Sequence, residues 1–453
     1  MEDEWTERVL SDLISVKHGW AFKGIFFDEA AEKGPIVVAI GNFDYSGGFR
    51  FGSTKIKRYT SDYPADYELI SGEILLAMTC QTAGGEILGI PGKVPDDGNT
   101  YLHNQRLGKV IVESEGVYDG YLYWLFLSKG FKHHLYCTAT GTKILHTAPE
   151  RILSYRFFLP SLPEQKAIAH ILGTLDDKIE LNRQMNATLE AMAQALFKSW
   201  FVDFDPVIDK ALAAGNPISE PLRKRAEARR TLGDKRKPLP ADVAQHFPDR
   251  FVFNEEMGWV PEGWEVTTIE KVSQCFDRKR IPLSKKQREE KKPGNIPYYG
   301  ATSVMDYIND WIFDGIYLLI GEDGSVIKED GKPFIQYIWG ENWVNNHAHV
   351  LQGIAGVATE HLMLFMGYQN MSAYVTGAVQ QKVNQKNLNS IPFVKASDSL
   401  NRKFADIIAP YYKKIRYNSE GITSLSTLRD TLLPKLLSGQ LRIPDAEKIM
   451  NDA

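Results

Sequence analysis

Residues 161–184 read SLPEQKAIAHILGTLDDKIELNRQ, and they begin a segment in which apolar residues recur every seven positions. Ser161 is a typical helix N-cap residue, Glu164 completes a capping box, and Pro163 suits the first turn of a helix. This pattern predicts one helix of about 35 residues, roughly 50 Å long, with a coiled-coil face. The apolar heptad positions are Ile168, Leu175, Leu189 and Leu196 in one series, and Leu172, Ile179, Ala193 and Trp200 in the other.

The same pattern returns 236 positions later, where residues 397–420 read SDSLNRKFADIIAPYYKKIRYNSE. At this offset Gly141 aligns with Gly377 and Phe157 with Phe393, without a gap. Such an internal repeat indicates that one ancestral unit is present twice. Two matching apolar faces predict an antiparallel coiled coil with a pseudo-twofold axis. The heptad positions of the second helix are Phe404, Tyr411, Leu425 and Leu432, and Ile408, Ile415, Ile422 and Leu436.

Asn182 and Asn418 interrupt the same seam position at the midpoints of the two predicted helices. In an antiparallel pair related by a pseudo-dyad, the two midpoints meet. We therefore predict that these side chains hydrogen-bond across the seam and fix its register. The alternative is that they are two unrelated, solvent-facing asparagines.

Each predicted helix follows a segment of short apolar runs between Gly, Asp and Asn residues, such as residues 35–40 and 315–320. Runs of this kind are typical of buried strands, so the sequence predicts an α+β fold. The predicted division is a first globular domain at 1–160, a helix at 161–204, a basic bridging segment at 205–255 with a short helix at 220–232, a second domain at 256–396, a helix at 397–440 and a tail at 441–453.

The formal net charge of −4 does not indicate a nucleic-acid-binding protein, but two stretches are locally basic. Residues 278–292 contain eight Lys or Arg against two Glu, and residues 222–238 contain further clusters. Phosphate contacts need only a local positive surface, so either stretch could supply one. A solvated loop or helix face is the alternative for both.

Polar, turn-rich loops follow the predicted strands in both domains. Their amides, hydroxyls and cations are the groups that read base edges, although ordinary loop chemistry is the alternative for each residue. The candidate DNA-binding residues are Gln81, Thr82, Asn104, Gln105 and Arg106 in the first domain, and Arg278, Lys279, Arg280, Lys285, Lys286, Ser325, Asn345, Asn346 and His347 in the second.

Catalytic signatures are missing from the sequence. It contains no P-loop, no methyl-donor loop with an Asn- or Asp-Pro-Pro-aromatic motif, and no nuclease-like cluster of carboxylates and lysine. His347 and His349 alternate without a third ligand, a pattern more typical of structural residues than of a metal site. The sequence therefore predicts no catalysis, no cofactor and no metal. Three separated cysteines, no signal peptide and no long apolar run predict a cytoplasmic protein.

Five runs together closely resemble the specificity subunits of Type I restriction–modification systems, and the resemblance covers essentially the whole chain. It implies that two target-recognition domains read the halves of a split, asymmetric site in double-stranded DNA, and that the helices act as spacers. The runs are LPSLPEQKAIA (159–169), DDKIELN (176–182), ALFKSWFVDFDP (195–206), GWVPEGW (258–264) and LLPKLLSG (432–439).

The resemblance also implies partners. Two methyltransferase subunits would bind S-adenosylmethionine and methylate adenine, and restriction subunits would supply an ATP-driven motor and a nuclease. If both domains face one side of the duplex, the half-sites are centred about 10 bp apart, with about six unread base pairs between them. The alternatives are an enzyme with its own active site, a specificity subunit of another multi-subunit restriction class, and a defence scaffold that reads no sequence.

Overall fold

The computed structural model describes residues 5–53, 56–236, 238–324, 326–377 and 380–451. The chain forms two compact units. Unit 1 comprises residues 1–181 and 421–453, and unit 2 comprises residues 182–420. The division falls inside the two long helices rather than at their ends, so a segment of each helix belongs to each unit.

Unit 1 is an α+β unit whose strands form a four-stranded sheet, a five-stranded sheet and two smaller pairs. Its elements are β1 (Thr6–Val9), β2 (Ile14–His18), β3 (Phe27–Asp28), β4 (Ile36–Val37), β5 (Arg58–Tyr59), β6 (Glu68–Leu69), β7 (Ile74–Ala77), β8 (Thr79–Cys80), β9 (Pro91–Lys93), β10 (Tyr101–Leu102), β11 (Leu107–Val112), α1 (Asp119–Leu127), α2 (Lys129–Thr138), β12 (Leu145–His146), α3 (Pro149–Leu153), β13 (Arg156–Leu159) and the first part of α4 (Leu162–Phe197).

Unit 2 repeats this plan. Its elements are α5 (Asp205–Ala214), α6 (Glu220–Leu232), α7 (Ala241–Ala244), β14 (Phe251–Asn254), β15 (Gly258–Pro261), β16 (Glu265–Thr268), α8 (Ile269–Val272), β17 (Ser273–Cys275), α9 (Lys285–Glu290), β18 (Ile296–Tyr299), β19 (Val304–Ile308), β20 (Phe313–Asp314), β21 (Tyr317–Gly321), β22 (Ile335–Ile338), β23 (Glu341–Val344), β24 (Ala348–Gly353), α10 (Thr359–Tyr368), α11 (Gln385–Asn389), β25 (Pro392–Lys395) and the first part of α12 (Asp398–Leu437).

The four-stranded sheets of the two units have corresponding strand orders, β2-β11-β7-β9 in unit 1 and β17-β24-β21-β22 in unit 2. The central strands β7 and β21 are buried along their whole length. They are apolar without alternation because both faces of each strand are covered. The predicted α+β fold with an internal repeat is therefore confirmed.

The repeat extends to the bounds of individual elements. Helix α3 and helix α11 have the same length and begin 236 positions apart, as do strands β13 and β25. The long helices α4 and α12 also begin 236 positions apart. In each unit the strand before the long helix pairs antiparallel with the first strand of the domain, β13 with β1 and β25 with β16.

The two long helices pack antiparallel within each unit. In unit 1 the Asp176 carboxylate accepts a hydrogen bond of 2.5 Å from Arg429, whose side chain is mostly buried. In unit 2 the Asn418 side chain donates to the Asn186 side-chain oxygen at 2.9 Å. The apolar heptad residues enter the two cores: Ile168, Leu172, Leu175, Leu432 and Leu436 in unit 1, and Ala193, Trp200, Phe404, Ile408 and Ile415 in unit 2.

The predicted partner of Asn418 is wrong by one helical turn. Asn418 is buried and bonds to Asn186, whereas Asn182 is half-buried and is not the residue that it contacts. In two antiparallel helices, residues that are equivalent by the repeat face each other only at the midpoint of the paired region. Because Asn418 faces Asn186, that midpoint lies two residues later than predicted, and the equivalent asparagines do not face each other.

Two further segments differ in how well their sequence predicted them. The bridging helix expected at 220–232 is confirmed as α6. The last residues are not a simple tail, because Ile443–Asn451 forms helix α13 and buries Ala446 in the core of unit 1. Apolar residues at Ile443, Ala446 and Met450 form one helical face, which is the signal that could have predicted it.

Replacing Asn418 with Ala should lower the free energy of unfolding by about 1–3 kcal/mol, because the side-chain oxygen of Asn186 loses its donor in the seam. The matched control is Asn182→Ala, for which we expect a change within about 0.5 kcal/mol. Urea denaturation followed by circular dichroism of the helices measures both values. Equal losses in the two variants would contradict the register described above.

Candidate nucleic-acid interface

In unit 2, the strand ends along one edge of the sheet β17-β24-β21-β22 bring together four segments that are distant in the chain. The Glu322 amide donates to the His347 carbonyl at 2.8 Å, and the Val383 amide donates to the Glu322 carbonyl at 2.8 Å. The Val350 amide donates to the Asp277 carboxylate at 3.0 Å. Four segments therefore meet at this edge: the residues after β17, those after β21, those before β24 and those near 383. Most of the predicted binding residues of the second domain lie in these segments.

A buried ion-pair network lies beneath this edge. His349 is 1% exposed, and its two ring nitrogens lie 2.5 Å from the Asp277 carboxylate and 2.7 Å from the Val383 carbonyl. Burial raises the pKa of Asp277. Hydrogen bonds from His349 and from the Val350 amide lower this pKa by more, so that it lies below its ordinary value.

Arg280 belongs to this network and not to the exposed surface. Its guanidinium lies 2.6 Å from Glu322 and 3.3 Å from Asp277, and it donates to the Ala348 carbonyl at 2.7 Å. Only 11% of the Arg280 side chain is exposed. Because its charge is already paired inside the domain, Arg280 is a poorer candidate for a direct DNA contact than its exposed neighbours Arg278 and Lys279.

Cys275, Asp277 and His349 place three possible metal-ligand atoms within 4.8 Å of one another. The chemistry of these donors does not fit a metal site. Both nitrogens of His349 are engaged with hydrogen-bond acceptors. Burial, with the nearby charge of Asp277, raises the pKa of the Cys275 thiol to about 12, and metals bind the thiolate. The cluster serves instead to join the loops at the sheet edge.

The remaining predicted residues of this edge differ in exposure. Arg278, Lys279, Asn346 and His347 are exposed, and the His347 ring lies 2.5 Å from the Asp323 carboxylate. Asn345 is 3% exposed, and its side-chain oxygen accepts from the His347 amide, so it shapes the loop from inside. Ser325, another predicted contact, lies outside the described residues.

Half of the basic run at 278–292 is used in ion pairs within unit 2. Arg288 lies 3.1 Å from Asp306, and Lys291 lies 2.5 Å from Asp310. Lys292 pairs with both Glu289 and Asp306. With Arg280, these residues reduce the positive surface predicted from the run. Arg278 and Lys279 are exposed, as are Lys285 and Lys286 on the short helix α9.

Unit 1 has a corresponding edge on its four-stranded sheet. The Trp20 amide donates to the His103 carbonyl, and the Gln105 amide donates to the Trp20 carbonyl, both at 2.9 Å. The chain can pass so closely because residue 19 is glycine, where a Cβ would lie 2.1 Å from the Asn104 carbonyl oxygen. This contact holds the loop at 103–106 beside the end of β2.

The other predicted loop of unit 1 lies at the end of β7. The Met78 amide donates to the Arg106 carbonyl at 3.0 Å, which joins the two predicted loops. Gln81, Gln105 and Arg106 are exposed. Thr82 is also exposed, but its hydroxyl donates to Glu86, so it is partly engaged within its own loop. Asn104 is half-buried.

An aromatic cluster beside this edge was not predicted. Trp20 stacks on Tyr67 with centroids 6.4 Å apart and contacts Phe22 edge-on at 4.9 Å. The Lys17 ammonium lies 4.9 Å from the centroid of the Tyr67 ring. Tyr67 is distant in the chain from Lys17, Trp20 and Phe22, so no local sequence pattern could indicate this cluster. The cluster supports the loop at 103–106, because Trp20 bonds to this loop through both its amide and its carbonyl.

Both units therefore place exposed polar loops where the chain crosses from one sheet to the other, between β10 and β11 and between β23 and β24. Two repeated α+β units with such loops favour a two-domain nucleic-acid-binding protein. Among the described residues, no helix is both long and apolar enough to cross a membrane.

Residues 2–191 and 261–426 match the family model for the Type I restriction modification DNA specificity domain. The chain belongs to this family. Its function is DNA sequence recognition as a specificity subunit, without catalysis of its own. Membership of the family implies a complex with methyltransferase and restriction subunits.

Similar proteins agree with this assignment. The chain is 23% identical over 348 residues to the Type I restriction enzyme MjaIX specificity subunit of Methanocaldococcus jannaschii. The matched region covers 74% of this chain and 72% of that protein. It is 27% identical to the HindI specificity subunit of Haemophilus influenzae, over 64% of this chain and 70% of that protein. The Type I S subunit structure from M. genitalium has the same fold, with a TM-score of 0.53 at 16% identity over 95% of this chain and 96% of that one.

Replacing Arg280 with Ala should destabilise unit 2 by about 1–3 kcal/mol, because the Glu322 and Asp277 carboxylates and the Ala348 carbonyl would each lose one partner in a largely buried site. The exposed neighbour Arg278 is the matched control, and Arg278→Ala should leave the unfolding free energy within about 0.5 kcal/mol of the parent. Thermal or urea denaturation of the full chain distinguishes the two. A stable Arg280→Ala protein would show that the network does not hold this edge together.

Proposed function

We propose that the two units read the two halves of one split, asymmetric DNA site, and that two methyltransferase subunits methylate adenine in both halves. The observation that carries this proposal is the repeated sheet edge. The connection between the sheets contains His103–Arg106 in unit 1 and Asn345–His347 in unit 2. The scaffolds correspond while these loop sequences differ, so the two half-sites should differ as well.

The exposed amides of Gln105 and Asn346 are the best candidates for base contacts. Each lies in the corresponding connection of its unit, and each is exposed. Side-chain amides can bond bidentately to adenine in the major groove, and one such pair is worth about 1–3 kcal/mol of discrimination. The nearby cations Arg106, Arg278 and Lys279 would add guanine or phosphate contacts.

The first test is single-molecule methylation sequencing of a host that expresses this chain with its neighbouring methyltransferase subunit. We expect N6-methyladenine in both halves of a split, asymmetric motif, lost when the chain is deleted. A target base must leave the stack to be methylated, so the modification itself is the work of the partner. An active methyltransferase that gives no motif with this chain, but gives one with another specificity subunit, would favour the non-reading scaffold.

The two amide loops allow a sharper test of which unit reads which half. Gln105→Ala should relax the motif, by about 10–100-fold in preference at one base pair, only in one half, and Asn346→Ala only in the other. Asn182→Ala, on the helix, is the control and should leave both halves unchanged. A single variant that relaxes both halves would contradict the assignment of one half-site to each unit.

The length of the unread gap is also part of the proposal. We infer that the two long helices act as a spacer and that about six base pairs lie unread between the halves. Inserting one helical turn into α4 and into α12 at equivalent positions should change the permitted gap. The readout is the same methylation motif, and an unchanged gap would contradict the spacer role.

A further inference from the structure

An exposed methionine lies against the candidate reading loop of unit 2. Met305 belongs to β19, just after the turn that joins this strand to β18, and 54% of its surface is exposed. The side-chain nitrogen of Asn345 donates to the Met305 sulfur at 3.3 Å. Asn345 is the buried first residue of the loop at 345–347, and the exposed Asn346 follows it directly. Met305 therefore stands beside the loop that carries the proposed base-reading amide.

The turn between β18 and β19 fixes the place of the Met305 side chain. A Cβ added to Gly300 would lie 2.6 Å from the Met305 sulfur and 2.8 Å from its Cγ, so the side chain crosses the turn where residue 300 has no side chain. The Asn345 amide donates to the Tyr299 carbonyl at 3.1 Å, and the Gln336 side chain donates to the Gly300 carbonyl at 3.0 Å. The turn, the methionine and the reading loop are therefore joined to one another.

An apolar side chain has one apolar partner on the base edges of the major groove. All four base pairs present hydrogen-bond donors and acceptors there, and only thymine adds a methyl group. The methionine side chain is uncharged, flexible and at most a weak acceptor, so it suits a contact with that methyl group. Isolated apolar side chains are common on protein surfaces. Met305 differs from them because it contacts a loop whose exposed residues, Asn346 and His347, are polar.

We propose that Met305 contacts the methyl group of one thymine in the half-site that unit 2 reads. This contact selects an A·T base pair by apolar contact, beside the bases that the loop at 345–347 reads by hydrogen bonding. The inference rests on the proposed function, because it requires that this loop faces the bases. Each half-site of that function contains an adenine that is methylated, so each half-site also contains at least one thymine.

The test replaces the thymines of the methylated motif one at a time with deoxyuridine, which lacks only the methyl group and keeps the hydrogen-bonding groups. Fluorescence anisotropy measures the affinity of the full chain, assembled with its methyltransferase partner, for each duplex. In the parent, deoxyuridine at one position should weaken binding roughly 3–5-fold, the effect of one methyl group lost from an apolar contact. Met305→Ala should weaken the thymine duplex by a similar factor and be insensitive to deoxyuridine at that position.

Two further variants separate the apolar contact from a general effect on the loop. Met305→Leu keeps an apolar side chain of similar volume and should keep most of the sensitivity to deoxyuridine. Met257, in the turn between β14 and β15 of unit 2, is also an exposed methionine and is the matched control. Met257→Ala should bind every duplex as the parent does, and a loss of sensitivity in this control would overturn the assignment.

Two results would refute the methyl contact while leaving the proposed function in place. One is a parent complex that binds its motif equally well with deoxyuridine at every position. The other is a Met305→Ala complex that binds the thymine and deoxyuridine duplexes more weakly by the same factor, because the methionine would then act through the loop or as a wedge between base steps. A parent complex that methylates no split motif would instead refute the proposed function.

Discussion

The apolar seam between the two long helices is the constraint on which each unit depends. Unit 1 takes Ile168, Leu172 and Leu175 from the first helix and Leu432 and Leu436 from the second, and all five are nearly inaccessible. Fully burying one such side chain contributes about 1.5–3 kcal/mol. The C-terminal residues of the chain therefore belong to the core of unit 1, and this unit cannot form from contiguous sequence.

Polar groups within the seam restrict the ways in which the helices can pair. Asn186 bonds to Asn418 in unit 2, and Asp176 bonds to the buried guanidinium of Arg429 in unit 1. A slip by one turn would separate both pairs, and a buried charge without its partner costs several kcal/mol. Apolar heptads favour helix pairing in general, whereas these two contacts favour one register.

The candidate interface of unit 2 is held together by ion pairs and hydrogen bonds beneath its surface. His349, Arg280, Asp277 and Glu322 come from three separate strands or their ends, and they connect the loops through side chains as well as backbone. Such a support lets the exposed residues above it change with little effect on the fold. The edge of unit 1 uses backbone bonds of Trp20 and an aromatic cluster for the same purpose. The two domains thus reach similar loop positions with different supporting chemistry.

The sequence by itself determined the repeat, the two long helices, the α+β class and the loops that border the interface. These features depend on residues close together in the chain, since helical and strand periodicity, capping and turn chemistry are local. Tertiary structure alone decided which basic residues stay free. Arg280, Arg288 and Lys291 resemble Arg278 and Lys285 in the sequence, yet carboxylates 18 to 42 positions away neutralise them. It also decided that Asn418 meets Asn186, because the register of two helices is a property of their packing and not of either sequence alone.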